Sequence, residues 1–360
     1  MQSIIALFST GNLDLYWLDL SNNLFTGYIP PEIGLLTDLH YLFISFNSLQ
    51  GSIPSNIGLL TDLLTLDISF CGITGSIPKE IFNAQSNLKE LWLTGNSITN
   101  KIPTEIVLVT NLRYVELSNN FLSGTMPDFS LMSKLQILNL RNNRLTGLVQ
   151  NLTLSSQNLN TIILADNSLT GSFFNILGNA VFPKLVSIDV SRTMMTGTLP
   201  NFDLIPKLEI FVAASNCLGG SIPWSLCSAK GLKSLILDGI VSGAKCVSYI
   251  YEDRKNNIMG FNGVTNKRAV PGSIPECIFS LSSLETLHFS GNGLTGSLPN
   301  SISTSIQRLS ASFNRLHGSL PDGLLQLALV ELDLSHNKID GTIKRNNWDA
   351  EGFLSLKNNR

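Results

Sequence analysis

An α/β solenoid, a right-handed superhelix lined by a concave parallel β-sheet, is the fold class predicted for this 360-residue chain, on three observations. A single template, L-x-x-L-x-L-x-x-N-x-L-x-G-x-I-P, recurs about every 24 residues along nearly the whole length. Apolar residues stand three and five places after the first anchor of each copy, as in Leu15, Leu18 and Leu20 or Leu135, Leu138 and Leu140. That alternation is a short strand with one buried face. The segments that follow, such as Gly51 to Pro54 or Gly296 to Pro299, bend at Gly and stiffen at Pro, leaving no helical length on the outer side.

The Asn of the template falls at Asn23, Asn47, Asn96, Asn120, Asn143, Asn167, Asn216, Asn292, Asn314 and Asn337, with Cys71, Thr193 and Ile240 in the same place. This makes 13 copies, and Asn359 begins a further partial one. A lone repeat cannot bury its own Leu residues, so neighbours stack and their strands pair in parallel. Where the chain leaves the strand, backbone groups would be buried without partners, and an Asn side chain offers them both a donor and an acceptor. Cys71 and Thr193 can do part of that work; Ile240 cannot.

The segments Leu18-Asp-Leu-Ser-Asn-Asn23 through Gly27-Tyr-Ile-Pro30, and Leu332-Asp-Leu-Ser-His-Asn337 through Gly341-Thr-Ile343, resemble the plant-type leucine-rich repeats of receptor kinases, receptor-like proteins and polygalacturonase-inhibiting proteins. The resemblance covers about residues 13 to 240 and 272 to 360. It implies a second small sheet built from the Ile-Pro segments and a twist along the solenoid. It also implies a protein or peptide ligand, a co-receptor as a further partner, and an extracellular or cell-surface location. Three places depart from the pattern: Asn100 replaces the template Gly, while Leu148-Val149 and Phe173-Phe174 replace Ile-Pro. A less regular outer strand is expected there. The ends lack caps, and the opening Met1 to Thr10 is too short for a secretory signal, so the chain is read as part of a longer protein.

Between Ile240 and Gly272 the period breaks, and the spacing of template Asn positions widens to 52 residues. The organisation expected is therefore repeats over 1-240, an inserted island over 241-271, and repeats again over 272-360. Long insertions without regular structure are functional or disordered, and in the family resembled such an island helps to bind the ligand. Tyr249, Tyr251, Arg254 and Phe261 are its candidate contact residues. Cys227, Cys246 and Cys277 cluster nearby, and the expected disulfide joins Cys246 to Cys227 or to Cys277, in an oxidising compartment.

Composition narrows the function classes. Only 14% of residues are charged and the net charge is -2, which argues against nucleic acid and against an anionic membrane surface as partners. No apolar run approaches the roughly 20 residues of a membrane span. Gly291-Asn-Gly-Leu-Thr-Gly296 spells a dinucleotide motif, but Ser-Leu-Pro follows where a helix would have to hold the phosphates. His40, His288, His317 and His336 lie in different repeats at unmatched positions, so no metal site or catalytic triad is expected, and no cofactor. Asn151-Leu-Thr153 is a lone glycosylation sequon.

Residues flanking each inner Leu point to the concave face. In the early repeats these are Trp17, Tyr41, Phe43, Trp92, Arg113, Tyr114 and Glu116, the aromatic and Arg composition of interface anchors. The function expected is a protein- or peptide-binding domain without enzymatic activity: the ligand-recognition ectodomain, or a fragment of one, of a receptor-like cell-surface protein. A secreted inhibitor of a partner enzyme and an intracellular scaffold are the competing readings.

Overall fold

The computed structural model describes residues 15–149, 152, 157–240, 272–341 and 352–359. They form two compact units, residues 1–169 with 175–178, and residues 170–174 with 179–360. Each is a stack of parallel three-residue strands.

In the first unit the strands Trp17–Asp19, Tyr41–Phe43, Thr65–Asp67, Glu90–Trp92, Tyr114–Glu116, Ile137–Asn139 and Thr161–Ile163 pair in chain order. Register follows the template, with Leu18 beside Leu42, Leu42 beside Leu66 and Leu66 beside Leu91. These central residues point inward and are buried. The second unit repeats the arrangement from Ser187–Asp189 to Phe353–Ser355. There, Ser234–Ile236 pairs directly with Thr286–His288, Leu235 beside Leu287, although the insertion separates them in sequence. The sheet therefore continues in register past the break.

The outer side is made of short 3-10 turns such as Pro31–Leu35, Ser55–Leu59 and Thr104–Leu108. Among the described residues the α-helix is the five-residue Phe173–Leu177. Successive turns pack closely: a Cβ on Gly34 would stand 2.5 Å from the Asn56 carbonyl oxygen, so that position admits only Gly. Small second sheets do form, for example Ser123–Thr125 with Arg144–Leu148 and Thr295–Gly296 with Arg315–Ser319. At Asn100, which takes the left-handed conformation usual for Gly, the second sheet shrinks to a bridge between Lys101 and Ser123. The Leu148-Val149 departure does the reverse of what was expected. Arg144–Leu148 is a five-residue strand, as long as Arg315–Ser319, where Leu320-Pro321 follows, so the outer strand extends equally with and without the Pro.

The Asn ladder holds the turns. The Asn47 Nδ2 donates to the Ile44 carbonyl of its own repeat at 2.9 Å and to Leu20 of the preceding repeat at 2.9 Å, while its Oδ1 accepts from the Phe25 amide. Asn216 does the same with Ala213, Val190 and Met195. Substitutes do less. Thr193 donates to Val190 and to the Asn216 Oδ1, and the Cys71 thiol donates to Ile44. Ile240 contributes only its amide, which donates to the Asn292 Oδ1 at 2.9 Å.

The cysteines differ from expectation. Cys227, on the turn Trp224–Ser228, is joined to Cys277, on Glu276–Ser280, with Cα atoms 5.7 Å apart. Neither is free for Cys246, which lies outside the described residues; Cys217 is also disulfide-bonded. The physical reason is the register just described, which brings the turns on either side of the insertion together as neighbours. Closing the loop between residues 50 apart stabilises the fold by about 4 kcal/mol on a chain-entropy estimate.

Two outcomes are expected. Replacing Asn216 by Ala removes the side-chain partner of the Ala213 carbonyl and of the Met195 amide in the core, the Val190 carbonyl keeping Thr193, and should cost about 2–4 kcal/mol in urea unfolding, whereas Cys71→Ala, which removes one weak donor, should cost less than about 2 kcal/mol. Mass spectrometry after alkylation in denaturant without reductant should find Cys227 and Cys277 unlabelled. Labelling of both would refute the pairing.

Candidate functional site

The outward positions of the sheet in the first unit form two rows. One runs Trp17, Tyr41, Thr65, Glu90, Tyr114 and Ile137; the other runs Asp19, Phe43, Asp67, Trp92, Glu116 and Asn139. Parallel strands lie about 4.8 Å apart, so a bulky ring in one strand reaches its neighbour. Trp17 stands 4.7 Å from Tyr41 and 5.0 Å from Phe43, ring centre to ring centre. Tyr16 adds a stack on His40 at 4.2 Å and a contact to Tyr41. Trp17 and Tyr16 keep about half their surface in solvent, at 51% and 52%. The rings thus shield one another in part and still offer a wide apolar surface.

A second aromatic pair lies further along. Trp92 and Tyr114 stack at 6.0 Å, and the Tyr114 hydroxyl donates to the Gln136 Oε1 at 3.0 Å. Thr65 and Asp67 separate this pair from the first cluster, so the rings form two groups. Glu116 sits in register between Trp92 and Asn139. Burial pushes its carboxyl up to about 7, with a hydrogen bond from Asn139 working the other way. Arg113 is exposed one residue before the strand, and its amide donates to the Lys89 carbonyl. Asp19 and Asp67 turn back to the backbone, accepting from the amides of Ser21 and Ser69 at 2.9 Å.

Tyr249, Tyr251, Arg254 and Phe261 lie outside the described residues, as does the sequon Asn151. Among the described residues no group of His, Cys, Asp or Glu could hold a metal ion, and no helix is long and apolar enough to cross a membrane.

Two features were missed in the sequence. Phe46 and Phe70 occupy the position before the ladder Asn, take φ of 55° and 53°, and stack at 4.8 Å on the edge of the sheet. A left-handed Phe is an outlier, and two aromatics at one template position were its available signal. The other is His288, set between Asp238 and Glu331 in the second unit. No spacing rule connects residues 50 apart until the register across the insertion is known.

The strand stack, the outer 3-10 turns and the Asn ladder together define a leucine-rich-repeat protein. The Leucine Rich Repeat family model matches residues 14–36, 38–60, 62–84, 87–107, 111–130, 134–154, 283–304 and 328–347. Receptor-like protein 32 of Arabidopsis thaliana is 27% identical over 242 residues, 57% of this chain and 27% of its own length. The ectodomain of the Arabidopsis receptor kinase HAESA, solved with the peptide hormone IDA and the co-receptor SERK1, is 27% identical with a TM-score of 0.67, covering 96% of this chain and 62% of that one. The structure of PEPR1 with AtPEP1 is 26% identical with a TM-score of 0.71, covering 91% and 46%. The chain is built of leucine-rich repeats, and the proteins it is similar to are plant receptor-like proteins and receptor kinases. It spans about a quarter of the length of the first curated relative and under two thirds of these solved receptors.

The elevated Glu116 gives a pH dependence whose sign is fixed. Its value when folded lies above its unfolded value of about 4.3, so ionisation opposes folding. Stability attributable to this group is greatest below that unfolded value and falls as pH rises toward about 7. Replacing Glu116 by Gln should therefore raise the melting temperature more at about pH 8 than at about pH 4. An equal effect at both values would contradict the burial assigned to the carboxyl.

Proposed function

We propose that this chain is the ligand-recognition ectodomain, or part of one, of a plant receptor-like cell-surface protein, and that it binds a peptide or protein segment on the open face of its first sheet. The observation that carries this reading is the pair of aromatic groups, the half-exposed Trp17 with the partly buried Tyr41 and Phe43, and the partly buried Trp92 with Tyr114, on outward positions of neighbouring paired strands. Aromatic anchors with an Arg at their border are what interface centres are made of. Arg113 holds that border place.

Further support comes from the relatives, which include receptor-like proteins, and from the solved receptor kinase HAESA, held with the peptide hormone IDA and the co-receptor SERK1. A co-receptor is accordingly proposed as a second partner. The Cys227–Cys277 disulfide supports an oxidising, extracellular setting. The relatives matched are receptor proteins, and no catalytic role is proposed for any residue.

The test is a displayed peptide library screened on the immobilised chain, with each recovered peptide measured against two variants. Phe43→Ala with Trp92→Ala and Tyr114→Ala should weaken binding at least about 100-fold, as loss of several anchors does. A control of Leu35→Ala with Leu59→Ala on the outer turns should leave it within about threefold. Equal affinity for the wild type and the aromatic variant would overturn the assignment of this face.

A further inference from the structure

The open sheet face of the second unit carries a charged cluster that the proposed ligand face does not use. His288 ends the strand Thr286–His288, in register beside Ile236 on one side and Ser310 on the other. Its Nδ1 lies 3.5 Å from the Asp238 Oδ2, and its Nε2 lies 3.9 Å from the Glu331 Oε2. Asp238 follows the strand Ser234–Ile236, and Glu331 opens Glu331–Asp333. The ring thus stands between carboxylates from elements on both sides of its own strand. The side chain is only 18% exposed, and Nε2 is closed off from solvent with no hydrogen-bond partner.

Chemistry makes this arrangement sensitive to one proton. A neutral imidazole has one N–H, so with the proton on Nδ1 its Nε2 lone pair faces the Glu331 carboxylate. An imidazolium has two donors, one for each acid. The surrounding charges are accounted for: Arg308 opposes the protonated ring from the intervening strand. Lys233 is held by Glu209 at 2.6 Å, with Glu285 nearby, and the Asp333 carboxylate accepts from the Ser335 amide.

We propose that His288 is a proton-dependent clamp that joins Asp238 to Glu331 across four neighbouring strands, so that the charge and cohesion of this face change with pH near neutrality. Burial lowers the affinity of the ring for its proton, but Asp238 and Glu331 outweigh burial and Arg308, and the net direction is upward. The contribution to stability is therefore full below the unfolded value of about 6.5. It is lost as pH rises through the higher folded value.

The experiment is an NMR titration of the chain with isotope-labelled histidine, in the wild type and in D238N, E331Q and H288Q. The His288 signal, absent from H288Q, should titrate above about 6.5, and its midpoint should fall in both D238N and E331Q. The melting-temperature advantage of the wild type over H288Q should be largest near about pH 5.5 and close by about pH 8.5. A midpoint at or below the free value, or one unmoved by both carboxamide variants, would overturn the clamp. So would an advantage over H288Q that does not vary with pH. If H288Q fails to fold, the resonance that shifts in both D238N and E331Q identifies the ring and decides the question.

Discussion

The structure depends on one constraint: each repeat turns its backbone into the interior, and every polar group buried there needs a partner. Asn meets it with a carboxamide that donates to two carbonyls and accepts an amide. For Asn292 the partners are Leu237, Phe289 and Ile240, in two repeats at once. The residue that closes one turn thereby ties it to the neighbour. Burial of Leu drives stacking, and this tie sets its register. The substitutions at Cys71, Thr193 and Ile240 are tolerated because the next Asn along still accepts from each of them.

Register in turn places the proposed binding surface. With inner Leu positions aligned, outward side chains fall into straight rows, so residues about 24 apart in sequence become neighbours about 4.8 Å apart. Rings that are isolated along the chain meet as Trp17, Tyr41 and Phe43. The same alignment sets Glu116 beside Trp92, where burial raises its carboxyl. A sheet that sets clustered rings among the carboxylates of its outward rows has apolar surface to bury in a partner, and this links the packing to the proposed recognition role.

The insertion shows how strongly the ladder dominates local sequence. The strands before and after it pair as if consecutive, and the Asn292 Oδ1 reaches the amide of Ile240 across 52 positions. The turns that carry Cys227 and Cys277 become neighbours for the same reason, which is why these two pair with each other. His288 likewise finds Asp238 only through that alignment. Proximity in sequence pointed Cys246 at the wrong partners because stacking, and not chain separation, decides which turns touch.

The sequence by itself determined the repeat, the inward Leu positions, the Asn ladder and the outward placement of Trp17, Tyr41, Phe43, Trp92, Tyr114 and Glu116, since each follows from a local period that every copy restates. Other features emerged only in the tertiary structure: the Cys227–Cys277 bond, the five-residue outer strand Arg144–Leu148, the Phe46–Phe70 stack and the two acids around His288. Each of these, apart from the outer strand, joins side chains of different repeats, and the outer strand needs a partner in the repeat beside it. A period specifies what one repeat looks like; contact between repeats is set by how they stack.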